Sequence, residues 1–471
     1  MRRSVWTFLV TGVAVFMVAM DNLIVTNALP VIRVDLGTGL EGLEWTVNGY
    51  TLTYAVLLLT GAALGDRFGR RKVFAIGIVI FTVASAAAAL APHVGALIAA
   101  RAVQGVGGAI VTPLSLTLLA EAVPADRRGT AFGIWGAMSG LGIALGPVIG
   151  GAVVEHASWQ WIFWINVPIG VVLLPLILVL RESRGGAGRL DPLGVLLATV
   201  GLFGIVFGLI RGGSHGWTSA PVLAGLVGGG LLLVAFVRWQ ARATHPMLPL
   251  SLFRGRGFSV ANAVGFVMAF GMFGAVFLGA QFLQTVQGYS PLESGLRTLP
   301  WTAAPALVAP FSGLIADRIG ARRVLALALA LQGVGVGWLA LVSRPDVPYP
   351  DLVPSFVVAG LGMGLFFAPI ARTTLGFAPR HLEGVASGTA NALRQLGTVL
   401  GIAVLGAVFS AFGGYDSPQH FVDGMRAGQA VGAVVLLGAA VLAMAIPDGG
   451  DQESGQDVVG VDDGVGVPLL G

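Results

Sequence analysis

The chain contains no cysteine. Disulfide frameworks, zinc–thiolate sites and thiol nucleophiles are therefore excluded. Charge is the second scarcity: 11% of the 471 residues are Asp, Glu, Lys or Arg, against roughly 25% in a soluble domain. So little charge cannot cover a water-exposed surface. Lysine is nearly missing, with Lys72 the one lysine among 27 basic residues. Because Val73 follows it, no Gly-Lys-Ser/Thr phosphate loop exists, which excludes a built-in ATPase of that kind. The six His are scattered and offer no metal site. Without Cys, clustered His or paired carboxylates inside an apolar run, neither catalysis nor a metal or other cofactor is expected.

What the chain has in excess is apolar length and glycine: 55% of residues are hydrophobic and 71 are Gly. Glycine is more frequent in membrane helices than in soluble ones, because it lets helix backbones approach closely. About 20 apolar residues cross a hydrocarbon core of about 30 Å. Runs of that length predict spans at 6–31, 45–65, 72–91, 95–120, 129–154, 161–180, 190–210, 218–238, 257–286, 295–316, 322–342, 352–372, 384–412 and 427–446. The expected fold class is an all-α integral membrane protein with about fourteen transmembrane helices. Met1-Arg2-Arg3 before the first run resembles the start of a signal peptide. The run continues to about Ile32, lacks a small-residue cleavage pattern and holds Asp21, so it reads as an uncleaved first span.

Arginine sets the expected orientation. With the N-terminus inside, 20 basic residues fall on cytoplasmic loops and ends, among them Arg67, Arg70, Arg71, Lys72, Arg127, Arg128, Arg189, Arg318, Arg322, Arg323 and Arg380, and 5 fall outside (Arg33, Arg211, Arg297, Arg344, Arg426). This is the asymmetry of the positive-inside rule, and it puts both chain ends in the cytoplasm. Positive charge spread over short loops fits membrane orientation better than a nucleic-acid partner. Trp159, Trp161 and Trp164 are expected at the outer interface as an aromatic belt. The Gly- and Asp-rich tail after Pro447 shows no apolar periodicity and is expected to be disordered.

An internal repeat divides the chain. At a shift of 255, Gly129, Gly133, Gly142, Gly146 and Gly151 fall on Gly384, Gly388, Gly397, Gly401 and Gly406. At a shift of 251, Gly65-Asp66-Arg67-Phe68-Gly69-Arg70-Arg71 resembles Ala316-Asp317-Arg318-Ile319-Gly320-Ala321-Arg322-Arg323. Two pseudo-symmetric six-helix bundles are thus expected at 1–185 and 246–447, flanking an inserted helix pair at 186–245, with a cytoplasmic tail at 448–471. Parallel repeats of this kind occur in transporters that rock one half against the other around a midplane site.

Asp21 is the one acidic residue that these spans place well inside the membrane. A charge near a helix centre costs about 2.5–3.5 kcal/mol on insertion scales and is retained where it has a partner, a water path or a proton. An Asp that alternates between such environments takes up and releases a proton; a static contact that fixes helix packing is the other reading. Arg101 is the expected partner, because both residues lie nine positions from a proline at an outer helix end, roughly 13 Å deep. Arg101 holding backbone carbonyls is the alternative. Gln104, one turn on, supplies further hydrogen bonds. Arg394 is a second cation within a span, facing either a substrate path or a carbonyl. Phe266, Phe270, Phe273 and Phe277 line a cavity or face lipid. Gly142, Gly146, Pro147, Gly150 and Gly151 form a small-residue seam with a proline kink. The dense charge at 65–72, with Asp66, Arg70 and Arg71, anchors topology and is also suited to latching the inner face, as is its repeat at Asp317.

Together these residues resemble the major facilitator superfamily and, within it, the fourteen-span drug:proton antiporters. Residues 65–72 resemble the family's loop 2–3 motif, with Ala62 where Gly is usual. Arg101, Gln104, Gly105 and Gly107 resemble its span-4 motif, and Gly142 to Gly151 the span-5 motif that marks antiporters. Met20 to Pro30 resembles the subgroup's span-1 motif, with Leu23 and Thr26 where Thr and Asn are usual. Trp159 to Gly170 resembles another subgroup motif, with Gln160 for Arg. The resemblance implies the major facilitator fold and export of lipophilic drugs or antibiotics in exchange for protons by alternating access. It also implies a coupling site at Asp21 and Arg101 and an inner gate at Asp66. The expected partners are protons, a lipophilic small molecule and the lipid bilayer, with the chain acting as a monomer in a bacterial inner membrane. The bias to Arg over Lys points to a high-GC bacterial genome. Import of a metabolite on the same fold is the alternative, and a non-transporting sensor the remote one.

Overall fold

A hydrocarbon solvent offers backbone amides no partner, so each apolar run must close its own hydrogen bonds as a helix. The computed structural model describes residues 2–124, 128–185, 190–379 and 382–447, and among them the regular structure is helical throughout. The expectations for the 448–471 tail and for Arg127, Arg189 and Arg380 lie outside the described residues. The helices are α1 (Arg2–Asp35), α2 (Leu40–Phe68), α3 (Arg70–Ala89), α4 (Val94–Ala122), α5 (Arg128–His156), α6 (Trp161–Trp164), α7 (Asn166–Ile177), α8 (Pro192–His215), α9 (Ala220–Arg242), α10 (Arg256–Thr285), α11 (Pro291–Arg297), α12 (Leu299–Thr302), α13 (Ala304–Ile319), α14 (Ala321–Val342), α15 (Tyr349–Gly376), α16 (Glu383–Phe412) and α17 (Pro418–Ala443).

Thirteen stretches are long and apolar enough to cross a bilayer, and the shorter Trp161–Ile177 makes the fourteenth. That sixth span is broken at Ile165. Pro168 lacks the amide that would bond Trp164, and its ring crowds that carbonyl. The tenth span breaks in the same way, into α11, α12 and α13 around Pro300 and Pro305. The aromatic belt needs a correction. Trp161 is exposed, but Trp159 is 2% exposed; it packs edge-on against Phe163 and donates from Nε1 to Asp35 Oδ2 at 2.6 Å. The turn after α5 folds its ring inward beneath the end of α1.

The repeat is visible in the packing. Gly142 and Gly146 bring α5 onto the backbone of α1 at Phe16 and Met20, and Gly397 and Gly401 bring α16 onto α10 at Phe266 and Phe270. Between the two bundles, α8 and α9 pack on each other through Gly201, Gly204 and Gly208 against Gly225 and Gly229. Val206 of α8 lies in one core cluster with Leu52 and Val56 of α2 and Val399 and Ala403 of α16. Asp191 caps α8 and joins it to the end of α9, accepting from Gly194 N (2.8 Å), Trp239 Nε1 (2.8 Å) and Gln240 Nε2 (2.6 Å). Burial alone would raise this carboxyl, and those donors outweigh burial and hold it below its ordinary value.

The face where α1 begins and α17 ends is the proximal face, and the opposite one is distal. At the distal end the two bundles meet backbone to backbone at two glycines. A Cβ on Gly151 would lie 2.3 Å from Pro291 O, and one on Gly295 would lie 2.4 Å from Pro147 O. Asn27 of α1 ties this seam, donating from Nδ2 to both Pro147 O and Pro291 O at 2.9 Å while accepting from Gln284 Nε2 at 2.9 Å. Glu155 accepts from Ser290 Oγ (2.5 Å) and Leu292 N (3.0 Å). Toward the proximal end Gly133, Gly136 and Gly140 of α5 have no neighbour within 4 Å, and Leu307, Phe311 and Leu314 of α13 are exposed. The molecule is therefore sealed distally and parted proximally between α5 and α13.

Candidate functional site

Four helices converge on Asp21. Arg101 of α4 donates from Nη1 to its Oδ2 at 2.5 Å, and Gln104 Nε2 and Asn166 Nδ2 each donate to Oδ1 at 2.8 Å. Ser85 of α3 accepts from Gln104 (3.3 Å) and Asn166 (3.1 Å) and donates to Phe163 O (2.9 Å). Arg101 is further held by Gln104 Oε1 (2.7 Å) and Thr46 O (3.3 Å). Its guanidinium lies over the Tyr50 ring at 4.3 Å and near that of Phe163 at 5.7 Å. Asp21, Arg101, Gln104, Ser85 and Asn166 are all fully buried.

The spacing on α4 explains the arrangement. Residues three apart share a helix face, so Arg101 and Gln104 reach one carboxylate together. Burying two charges costs several kcal/mol each, and only close pairing with further hydrogen bonds recovers it. Here every carboxylate oxygen is occupied. The cluster holds an ion pair away from solvent, ringed by polar neighbours on α3, α4 and α7.

Other site residues fall elsewhere. Asp66 pairs with Arg70 at 2.6 Å, and Arg70 also bonds Glu121 of α4. Arg71 pairs with Glu182, which also accepts from the amides of Arg71 (3.0 Å) and Lys72 (3.3 Å). All of these partners belong to the first bundle. Gly69, at φ 109°, makes the sharp turn between α2 and α3. The repeat-related turn at Gly320 has φ 90°, but Asp317 there pairs with Arg372 at 2.8 Å in the second bundle. No ion pair among the described residues joins the two clusters across the open proximal side.

Phe270 and Phe266 are half-buried, with their backbones under Gly401 and Gly397, whereas Phe277 is core. Arg394 donates from Nη2 to Asn391 Oδ1 at 2.7 Å. Several polar residues of the site were not singled out from sequence: Ser85, Asn166, Asn27, Glu121, Glu182 and Glu44. Glu44 lies in the second turn of α2, 2% exposed, with its carboxyl against Gly406 of α16. A lone polar residue within an apolar run, as at Asn166 and Asn27, was the available signal.

The model of the Major Facilitator Superfamily matches residues 11–402 and, in a second segment, 261–457. The chain belongs to this superfamily. Its relatives include the multidrug resistance protein Stp of Mycobacterium tuberculosis, 36% identical over 87% of this chain and 77% of that one. The tetracenomycin C resistance and export protein of Streptomyces glaucescens is 35% identical over 90% and 79%. The puromycin resistance protein pur8 of Streptomyces alboniger is 35% identical over 95% and 92%. Among solved structures, a partially occluded inward-open xylose transporter XylE from E. coli superposes with a TM-score of 0.63 at 14% identity, covering 95% of this chain and 99% of that one. A member of the POT family in complex with a thioalcohol-conjugated peptide gives 0.69 at 14%, covering 93% and 95%. The protein is a multi-span membrane transporter of the major facilitator fold.

Proposed function

We propose that this transporter exports lipophilic drugs or antibiotics in exchange for protons by alternating access, with Asp21 as the proton carrier and Arg101 as its partner. The observation that carries this is the sealed Asp21 cluster, a buried ion pair on four helices, in a chain whose relatives are named for drug resistance and export. In the sealed state Arg101 is bonded to the carboxylate. Opening the distal side parts α1 from its neighbours, weakens that pair and lets the carboxylate take a proton. Returning to the proximal-open state restores Arg101 and expels it. Gln104 relays between the pair and the cavity, and Phe270 and Arg394 border the path of the cargo. Residues 1–185 and 246–447 move as the two rocking bundles, with 186–245 as an accessory pair, and the protein works as a monomer. The Arg-rich proximal face is cytoplasmic and carries both chain ends, so the described state is inward-open.

The charge clusters at the proximal face form the inner gate. Asp66, Arg70 and Arg71 are held within the first bundle and Asp317 within the second while the gate is open, and they exchange partners when it closes. Asp66→Asn is expected to change thermal stability by less than about 1 kcal/mol, since its pair with Arg70 is partly exposed. Export should nevertheless slow severalfold, read as initial dye-efflux rate. An efflux rate equal to wild type would remove Asp66 from the gate.

The reading as a whole is tested with inverted membrane vesicles. A fluorescent dye should accumulate when an inward-acidic gradient is imposed and leak back when the gradient and potential are collapsed. Accumulation that survives the collapse rules out proton coupling.

A further inference from the structure

Two arginines lie inside membrane spans, and their surroundings differ. Arg101 is fully buried and neutralised by Asp21. The guanidinium of Arg394, the twelfth residue of α16, makes a single hydrogen bond among the described residues, to Asn391 on its own helix. The ring of Phe367 from α15 lies 5.5 Å from its guanidinium, and Tyr54 of α2 faces it from the other bundle. No carboxylate among the described residues pairs with it.

The helix around it changes character at this level. From Asn391 to Leu396 every residue of α16 is partly exposed, on all sides of the helix, whereas Gly397, Thr398, Val399, Gly401 and Ile402 are buried. Arg394 therefore stands in a half-exposed stretch of α16, between buried Thr389 and buried Gly397, beside Tyr54 of the first bundle. A membrane-embedded cation costs about 2.5–3.5 kcal/mol on insertion scales, and no ion pair among the described residues offsets that charge here. Its unused N–H groups form a planar fork, whose geometry matches a carboxylate or another delocalised oxyanion. Phe367 beside it supplies an apolar and aromatic surface.

We infer that Arg394, with Asn391 and Tyr54, is an anion-binding subsite in the transport cavity, and that the preferred cargo is a lipophilic organic acid, an oxyanion on an apolar body. This rests on the export reading and narrows its substrate class. The acid group lies in the guanidinium fork, Asn391 holds that fork in place, and the apolar body lies along Phe367.

Binding to the purified full-length protein separates this inference from the question of export. The probes are 1-pyrenebutyrate, its uncharged methyl ester and the cation ethidium. Wild type is expected to bind the acid roughly tenfold tighter than the ester. Arg394→Gln should erase that ratio and should not weaken binding of ethidium, whose positive charge the guanidinium repels. Arg394→Lys, which keeps the charge and loses the fork, should retain part of it and serves as the informative variant where Arg394→Gln does not fold. Equal binding of acid and ester by wild type, absence of acid binding, or an unchanged ratio in both variants would overturn the subsite. The same protein in proteoliposomes reports on the parent reading. Acid preference in binding without gradient-driven export leaves the subsite standing and removes the exporter. Ethidium export without acid preference does the reverse.

Discussion

Asp21→Asn is expected to reduce proton-driven accumulation to background while leaving exchange of cargo down its own gradient intact. The substitution keeps the shape of the side chain, and the amide oxygen can still accept from Gln104 or Asn166, each 2.8 Å from the native Oδ1. What it removes is the titratable charge and the acceptor for Arg101 Nη1. Breaking a buried pair by deleting one charge typically costs about 3–5 kcal/mol. Part of that cost is recovered here, because the guanidinium keeps Gln104 Oε1, Thr46 O and the faces of Tyr50 and Phe163. A folded, uncoupled protein is the expected product. Counterflow in vesicles measures exchange, and an imposed pH gradient measures coupling. An Asp21→Asn protein that still concentrates cargo on a pH gradient would sink the assignment.

The second large effect is steric. In Gly151→Ala the new methyl group would meet Pro291 O at 2.3 Å and the Cα of Leu292 at 2.8 Å. Both are backbone atoms, so no side chain can swing aside, and the distal seam cannot close as described. The protein should be held open distally and transport should stop. The chain has no native thiol, which makes labelling direct. Ser294 is fully buried beneath the seam, with Oγ on Asn27 Oδ1 at 3.3 Å. A cysteine placed there by Ser294→Cys should react slowly with an impermeant maleimide, and at least tenfold faster when Gly151→Ala is added. Gly133→Ala on the same helix, with nothing within 4 Å, should change neither labelling nor transport. Equal labelling with and without Gly151→Ala would refute the steric account.

The fold was legible because hydrocarbon imposes a single rule on every span, and long apolar runs report it directly. Contact between Asp21 and Arg101 followed from helix rise, which fixes depth, and Gln104 followed from the three-residue spacing on α4. Depth says nothing about azimuth. Ser85 and Asn166 reach the same carboxylate from α3 and α7 because those helices turn their polar residues inward, a rotation that hydropathy does not encode. Glu44 was set at a span boundary, where a carboxylate is ordinary; only the packing of α2 against α16 shows that it is buried. The sixth span read as one run because hydropathy averages over Pro168. Trp159 was placed by composition at an interface, whereas its ring is buried and its indole N–H reaches Asp35 at the end of α1. The partners of Arg70 and Arg71 on other segments, namely Glu121 and Glu182, stand far away in sequence, and no local pattern links them.

The close backbone contacts also have a genetic signature. Every change at the first or second base of a glycine codon yields a larger residue or a stop, so Gly142, Gly146, Gly151, Gly295, Gly397 and Gly401, each pressed against a neighbour's backbone, have no missense change that spares the contact. A selection for lost transport should collect alleles at those codons and pass over Gly133, Gly136 and Gly140, where the added atoms meet empty space. In such a map the contrast along one helix, α5, would trace where it presses on α1 and, at Gly151, on the second bundle, codon by codon.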